Sequence, residues 1–285
     1  MAKGISIHVG LNKIDARHYG NSGDLPYCVN DAKEMRRLAI GEGYAVQDFL
    51  INKNATAANV SNALTKASAD LYAGDKLLFT YSGHGSFFPD MNADEADGYD
   101  ETWVLYDRMF IDDELYFAWS KFRKGVRILL ISDSCHSGTV AKPLIMSSCG
   151  HQFTSNRKLC LPDKKALVEI LKAEADMLYK KHQAQYDPHL KFIPSPKALT
   201  IQASVILLAA SQDNQLSRAC SRSGVKLSLF TDELMAVYLK QQGLNYRQLI
   251  DAIKQRIPAA YAQTPNYFET GILNKRFTEQ RSFAI

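Results

Sequence analysis

The stretch ILLISDSCHSGT, residues 128–139, is an apolar run that ends in small residues around one cysteine, Cys135. An earlier stretch, LLFTYSGHGS at residues 77–86, repeats this pattern around His84, 51 positions before the cysteine. The predicted strands end near Tyr81 and Ser132, and the small residues that follow allow tight turns. Because the carboxyl ends of neighbouring parallel strands meet at one edge of a sheet, we expect His84 and Cys135 to lie together.

Apolar runs of this kind recur along the chain and indicate its fold class. Five of them are strand candidates, which begin at Ile5, Tyr44, Asp75, Val126 and Ser204. Near-continuous apolar runs are typical of parallel strands that are buried on both faces. Amphipathic helix patterns alternate with them. The pattern predicts an α/β fold with a mainly parallel sheet of about six strands between two helical layers, in a single domain of residues 1–285.

One segment, residues 139–202, is far longer than a crossover between parallel strands requires. It contains a charged helix pattern that begins at Pro162 and a proline-containing run that begins at Tyr186. A long insertion beside an active centre is usually a lid, a partner surface or a processed linker. We interpret the segment as an insertion within one domain.

The composition excludes several classes of protein. The formal charge is +4 over 285 residues and the basic residues form no stripe, so we expect no nucleic-acid partner. There is neither a signal-peptide pattern nor a run of 18 apolar residues, which predicts a cytoplasmic protein without membrane association. Five widely spaced cysteines without a C-x-x-C pair predict reduced thiols.

A cysteine and a histidine that meet at a sheet edge can act as nucleophile and base. The imidazole accepts the thiol proton, and backbone amides at tight turns can stabilise an oxyanion. Taken singly, a cysteine after a strand is more often a small buried residue, and a single histidine is more often structural. Two such residues, each among glycines and serines at a strand end, favour the catalytic interpretation.

Together, YSGHGS and DSCHSG resemble the catalytic pair of the caspase-like cysteine peptidases (clan CD, family C14), above all metacaspases and bacterial orthocaspases. Four more segments resemble metacaspase segments in the same order: CVNDAKEM from Cys28, DGYDETWVLYD from Asp97, IDDELY from Ile111 and ASQDNQLSRA from Ala210. The resemblance implies the caspase-hemoglobinase fold. It divides the chain into a p20-like part (1–138), the insertion or linker (139–202) and a p10-like part (203–285).

By this resemblance Cys135 is the nucleophile and His84 the general base of a cysteine endopeptidase. The backbone amides of Gly85 and Cys135 are the implied oxyanion donors, and His136 is expected to be structural. Two other classes of protein stay open. One is a caspase-fold interaction module without catalysis, and the other is a metal-dependent hydrolase, although the chain has no H-E-x-x-H or similar ligand set.

The resemblance also implies which residues contact the substrate: Asp31, Asp133, Ser82 and Cys28 surround the primary specificity pocket. Two carboxylates favour a guanidinium or an ammonium, so we expect protein or peptide substrates to be cut after Arg or Lys, with Arg the better fit. Taken alone, Asp31 could be a carboxylate at a helix N-terminus, and Asp133 a partner for loop amides. Cleavage after Asp, as in animal caspases, is the alternative.

Residues 90–114 contain ten carboxylates and one basic residue. Such a cluster binds a hard cation or, more commonly, is a solvated loop. The resemblance implies calcium ligands at Asp100, Asp112 and Asp113. Lys142 stands where calcium-activated relatives carry an acidic residue, and its charge would oppose the ion. We therefore expect that no cofactor is required, and calcium is the candidate that stays open.

Basic residues within the insertion are candidate substrates for an enzyme of this specificity: Arg157, Lys158, Lys164, Lys165, Lys180 and Lys181. We predict self-cleavage within residues 139–202 as an activation step. The alternatives are an inert surface helix and a docking element for a regulatory partner protein.

Overall fold

The computed structural model describes residues 2–92, 95, 97–136, 164–211, 219–221, 225–261 and 263–285. In chain order, its strands are β1 (Gly4–Gly10), β2 (Ala45–Ile51), β3 (Lys76–Pro89), β4 (Tyr99–Val104), β5 (Met109–Ile111), β6 (Arg127–His136), β7 (Ser204–Ala209), β8 (Ala219–Ser221), β9 (Lys226–Ser228) and β10 (Asn266–Gly271). Its helices are α1 (Ala16–Tyr19), α2 (Cys28–Gly41), α3 (Ala57–Asp70), α4 (Asp112–Ser120), α5 (Lys164–Leu190), α6 (Leu229–Lys240), α7 (Tyr246–Arg256) and α8 (Lys275–Glu279). Short 3₁₀ turns lie at Asn52–Asn54, Pro196–Ala198 and Ala259–Tyr261.

A sheet with the strand order β10-β7-β6-β3-β1-β2 runs through the centre of the molecule. Along this path the strands are parallel except β10, which pairs antiparallel with β7 at one edge, and β4 and β5 extend the same sheet antiparallel from the end of β3. The predicted mainly parallel sheet is confirmed, and each of the five apolar runs forms one of its parallel strands. The central positions of β3 and β6 are buried on both faces, which explains their almost uninterrupted apolar sequence.

Helices cover both faces of this sheet. On one face, α3 and α4 pack with Phe79 and Leu130 into a core. On the other face, α2, α6 and α7 pack with Leu78 and Leu129. Adjacent residues of one strand contribute to opposite cores because successive side chains of a strand alternate in direction. The predicted three-layer arrangement is therefore confirmed.

The two strands that carry the predicted reactive residues are longer than the sequence indicated. β3 continues beyond Tyr81 because β4 pairs with its residues Gly85–Pro89, and β4 in turn pairs with β5. β6 continues beyond Ser132 because it keeps pairing with β3 up to Gly85 and His136. The prediction that both strands end before the reactive residues was wrong, since the glycines and serines around them lie in paired strands.

Part of the long insertion forms helix α5, as its charged helix pattern predicted. Leu171 and Ala175 of this helix are buried and pack against Phe87 of β3. Further along, the ring of Tyr186 packs against Phe88. These contacts make the helix part of the packed domain and oppose the alternative of an inert surface helix. Neither α5 nor another described helix combines the length and apolar character that crossing a membrane requires.

Candidate active site

His84 and Cys135 occupy directly paired positions of the neighbouring parallel strands β3 and β6. Paired strands lie about 4.8 Å apart, so the backbone register brings the two residues side by side. Two positions earlier, Ser82 pairs with Asp133 in the same register. Gly85, the predicted oxyanion donor, directly follows the histidine in β3. The backbone register agrees with the expectation that His84 and Cys135 lie together, although the sequence misjudged where the strands end.

The imidazole of His84 is almost fully buried and has a defined orientation. Its Nε2 atom lies 2.7 Å from the backbone carbonyl oxygen of Gly23. A carbonyl oxygen can only accept a hydrogen bond, so Nε2 carries the proton and donates it. Nδ1 is then the nitrogen at which the ring can exchange a proton with another group. A base that a third group orients in this way is the general arrangement of nucleophilic catalysis.

Gly23 is a functional position that the sequence interpretation missed. Its φ angle is 52°, in the left-handed region that glycine occupies at little cost. A Cβ atom here would lie 2.8 Å from Ile14 Cδ1 and 3.1 Å from His84 Nε2. The amide of Gly23 donates to Asn21 Oδ1 at 2.9 Å, which fixes the turn. Only glycine lets this carbonyl approach the imidazole so closely, and the small polar stretch GNSGD was the signal in the sequence.

The backbone of His84 is held from the opposite face of the sheet. The hydroxyl of Tyr81 lies 2.6 Å from the carbonyl oxygen of His84, to which it donates, and 3.2 Å from that of Val104. The tyrosine ring stacks on Trp103 with 4.4 Å between ring centroids. Gly83 leaves room for this hydroxyl, because a Cβ there would lie 2.5 Å from it.

The four predicted pocket residues lie close to this pair. Asp31 accepts a hydrogen bond from Ser82 Oγ at 2.7 Å, which ties helix α2 to β3. Cys28 is the first residue of the same helix, one turn before Asp31. Burial raises the pKa of Asp31 well above its usual range, and the charge of Asp133 raises it further. The two carboxyl groups therefore form a buried acidic pair that resists full ionisation.

Ser228 and Thr231 complete this pocket, and the sequence interpretation missed both. The backbone amide of Ser228 donates to Asp31 Oδ1 at 2.9 Å. The hydroxyl of Ser228 donates to Asp133, and that of Thr231 donates to the same oxygen at 2.7 Å. Ser228 is also the N-cap of α6, where its side chain accepts a hydrogen bond from the amide of Thr231, and a serine before an apolar helix pattern was its only signal in the sequence.

The predicted calcium ligands also lie together. Oxygen atoms of Asp100, Asp112 and Asp113 are within 4.8 Å of one another. Burial and the charges of neighbouring carboxylates, above all Glu101, raise the pKa of Asp112 to about 8. Asn92 donates a hydrogen bond to Asp113. A set of carboxylate oxygens that repel one another fits a hard divalent cation such as calcium. Lys142, the residue that opposed calcium in the sequence, lies outside the described residues.

Comparison with known proteins gives a consistent assignment. The Caspase domain family model (Peptidase C14) matches residues 14–277. Metacaspase-1A of Aspergillus fumigatus is 30% identical over 90% of this chain and 66% of its own length. Metacaspase-1 of Schizosaccharomyces pombe is 28% identical over 90% of this chain and 65% of its own length. The chain thus spans about two thirds of the length of these relatives.

A solved structure resembles the whole chain. The crystal structure of protein GSU0716 from Geobacter sulfurreducens matches it with a TM-score of 0.78 and 37% sequence identity, over 99% of each chain. The family match covers both strands that carry His84 and Cys135, as well as the segments that supply Asp31 and Ser228. The chain therefore belongs to the caspase-domain family, peptidase family C14.

Proposed function

We propose that the protein is a cysteine endopeptidase that cuts protein and peptide substrates after Arg or Lys. The observation that carries this proposal is the buried acidic pair of Asp31 and Asp133. Asp133 lies two positions before Cys135 in β6, and Asp31 bonds to Ser82, which lies two positions before His84 in β3. A peptidase for basic residues needs a nucleophile, a base and a negatively charged pocket next to them. The family relationship supports the first two, and the acidic pair supports the third.

In the proposed reaction, Nδ1 of His84 accepts the proton of the Cys135 thiol, and the thiolate attacks the carbonyl carbon of the substrate. The amides of Gly85 and Cys135 stabilise the oxyanion. His84 then donates its proton to the leaving amine as the C–N bond breaks, which leaves a thioester on Cys135. Water, deprotonated by His84, hydrolyses this thioester. The carbonyl of Gly23 holds the ring in one orientation throughout.

The acidic pair accounts for the proposed specificity. A substrate cation that enters the pocket relieves the repulsion between Asp31 and Asp133, and it favours the ionised form that burial otherwise opposes. Arg suits this pocket better than Lys because its planar guanidinium can donate to two carboxylates at once. A substrate Asp would add a third negative charge to a buried site, so the same geometry opposes cleavage after Asp.

We also propose self-cleavage within residues 139–202. Lys164 and Lys165 begin helix α5, and Lys180 and Lys181 come directly before a kink in it at His182. Peptidases bind the segment that they cut in an extended form, so cleavage at these lysines would first require the adjoining helix to unwind. Arg157 and Lys158 lie outside the described residues and stay candidates.

Fluorogenic peptides that end in Arg, Lys or Asp test this function with purified protein. We expect turnover in the order Arg, then Lys, with none after Asp, and loss of turnover in Cys135→Ala and after iodoacetamide treatment. Incubation of wild type and Cys135→Ala side by side tests self-cleavage, because only the wild type should fragment. Preferential cleavage after Asp, or activity that survives Cys135→Ala, would overturn the proposal.

A further inference from the structure

A cavity of about 270 Å³ lies between helix α5, residues 18–21 and the extended end of β3. Ser86 of β3, Asn21 and Glu174 of α5 are part of its wall. Asp31 and Asp133 do not line it, so it is distinct from the primary pocket described above.

Glu174 is the unusual member of this wall. Its Oε2 atom is buried and has no hydrogen-bond partner among the described residues. Burial also raises the pKa of Glu174 to about 7. A buried carboxyl oxygen without a partner is unfavourable, and a cation or a hydrogen-bond donor that enters the cavity would satisfy it. The cavity is therefore suited to a positively charged group.

The cavity has a defined position relative to His84. Ser82, His84 and Ser86 are alternate residues of β3, so their side chains project from the same face and follow one another at intervals of about 6–7 Å. Ser82 contacts the acidic pair, and Ser86 lines the cavity. The primary pocket and the cavity therefore lie on opposite sides of His84 along the strand.

The segment of residues 18–31 runs along the same face of β3 in the opposite direction. Asp31 bonds to the first of the three side chains, Ser82, and the carbonyl oxygen of Gly23 bonds to the second, His84. Asn21 and the third residue, Ser86, both line the cavity. Pocket, base and cavity thus follow one another in a row along the same two segments.

The order of primary pocket, His84 and cavity along β3 indicates which part of the substrate would lie in the cavity. His84 has to protonate the leaving amine, so it lies between the residue before the cleaved bond and those after it. The acidic pair holds the residue before the bond. We propose that, in the peptidase proposed above, Glu174 binds a Lys or Arg side chain located within two residues after the cleaved bond.

The remaining wall suits such a side chain. Met109 and Leu178 supply apolar surface for its methylene groups. His18 also lines the cavity, and burial lowers its pKa to about 4, so it adds no positive charge at neutral pH. Lys181 lies at the exposed rim, where water and salt screen its charge.

Internally quenched peptides test this subsite. Each carries Arg before the cleaved bond and Lys, Ala or Glu at the first or second position after it. We expect wild type to cut the better Lys peptide with a kcat/KM about tenfold above that of the Ala peptide, as for a charged hydrogen bond. Glu174→Gln should reduce this ratio to near one, and Glu174→Lys should shift the preference to Glu. Glu169→Gln makes the same change at an exposed position of α5 and should keep the wild-type ratio.

Two failures can be told apart. If wild type does not cut an Arg-coumarin substrate, which has no residue after the bond, the proposed function is wrong and the subsite with it. If that substrate is cut but the Lys and Ala peptides react equally, or Glu174→Gln keeps the wild-type ratio while Tm shows it is folded, the subsite alone is wrong.

Discussion

At the scale of single residues, the carboxyl group of Asp31 makes the specificity argument testable. Replacing it by Asn keeps the size of the side chain and removes its charge. We expect Asp31→Asn to lower kcat/KM for Arg peptides by about a hundredfold, because two charge-assisted hydrogen bonds are lost. Tm should change little, since the substitution also removes the repulsion with Asp133. Steady-state kinetics and a thermal melt measure the two effects.

Asp24→Asn is the matched control for this prediction. Asp24 belongs to the same segment but is exposed, with its carboxylate 3.7 Å from the ammonium of Lys13. It should retain wild-type kinetics because exposed ion pairs contribute little. Equal turnover of Arg peptides by Asp31→Asn and Asp24→Asn would contradict the assignment of the acidic pair.

Gly23 permits a second prediction, which concerns the orientation of the base. In Gly23→Ala the new Cβ would lie 3.1 Å from His84 Nε2, so the carbonyl and the imidazole have to separate. We expect kcat for Arg peptides to fall about tenfold or more with little change in KM, because the substrate pocket is unaltered. The left-handed backbone adds a loss of a few degrees in Tm.

The Gly74→Ala variant distinguishes the effect of the left-handed backbone from that of the contact with His84. Gly74 also has a left-handed φ, 91°, but a Cβ there would have no atom within 4 Å. It should lower Tm like Gly23→Ala and leave kcat unchanged. If both variants lose the same activity, backbone strain and not the contact with His84 explains the effect.

At the scale of elements, helix α5 contacts His18 of the domain, and this contact requires the neutral form of the imidazole. The hydroxyl of Tyr186 accepts from the amide of Met109 at 3.1 Å, so its own proton points to His18 Nε2, 3.0 Å away. Nε2 of His18 is then an acceptor. His182 stacks on the same ring with 4.0 Å between centroids. Protonation of His18 would remove the acceptor at the centre of this contact.

The resulting pH dependence has a definite sign. Burial lowers the pKa of His18 from 6.5 to about 4, and the charges of His182 and Lys181 act in the same direction, while Asp15 and a hydrogen bond with Gln185 oppose them. Between pH 6.5 and pH 4, His18 binds more protons when helix α5 is detached than when it is docked. Docking is therefore fully present above pH 6.5 and weakens as the pH falls from 6.5 to 4. We expect a loss on the order of 1–2 kcal/mol.

Hydrogen exchange of α5, corrected for the intrinsic pH dependence, measures this effect. Protection of the helix should fall with pH in wild type. His18→Phe keeps an aromatic ring against His182 but cannot titrate, so its protection should vary less with pH. An identical pH dependence in both proteins would show that another group is responsible.

At the scale of the whole molecule, the cluster of Asp100, Asp112 and Asp113 connects strand β4 with the start of helix α4. Calcium that binds there would neutralise repelling carboxylates and stabilise the native state by mass action. We expect an excess of calcium to raise Tm by about 2–5 °C in wild type and to have no effect in Asp112→Asn/Asp113→Asn. Magnesium is the matched control, because it prefers to retain its water and should shift Tm less. Equal shifts with both ions, or in both proteins, would contradict a calcium site.

Much of the fold was predictable because strands buried on both faces must be apolar throughout. The runs from Asp75 and Val126 are of this kind, and both became central strands. Strand β4 (Tyr99–Val104) was missed because its residues 100–102 are polar in succession and look like part of an acidic loop. The strand ends were misjudged because glycines and serines predict turns unless another strand supplies the pairing.

The site was predictable where its residues stand in short motifs. His84 and Cys135 are each surrounded by a recognisable local sequence, and the sheet brings them into register. Gly23 and Ser228 were missed because they reach the site only through tertiary contacts across 61 and 95 residues. No local pattern encodes such distances, so these positions became visible only in the folded chain.

The segment of residues 18–31 has a consequence for how the proposed peptidase can change. Because its contacts follow one another in fixed order along β3, inserting or deleting one residue between them would move the base anchor at Gly23 out of register with Asp31. Evolution and protein engineering should therefore find this length invariant. New specificities are accessible through single substitutions at Asp31 or Glu174, whereas grafting a loop of another length here should abolish activity altogether.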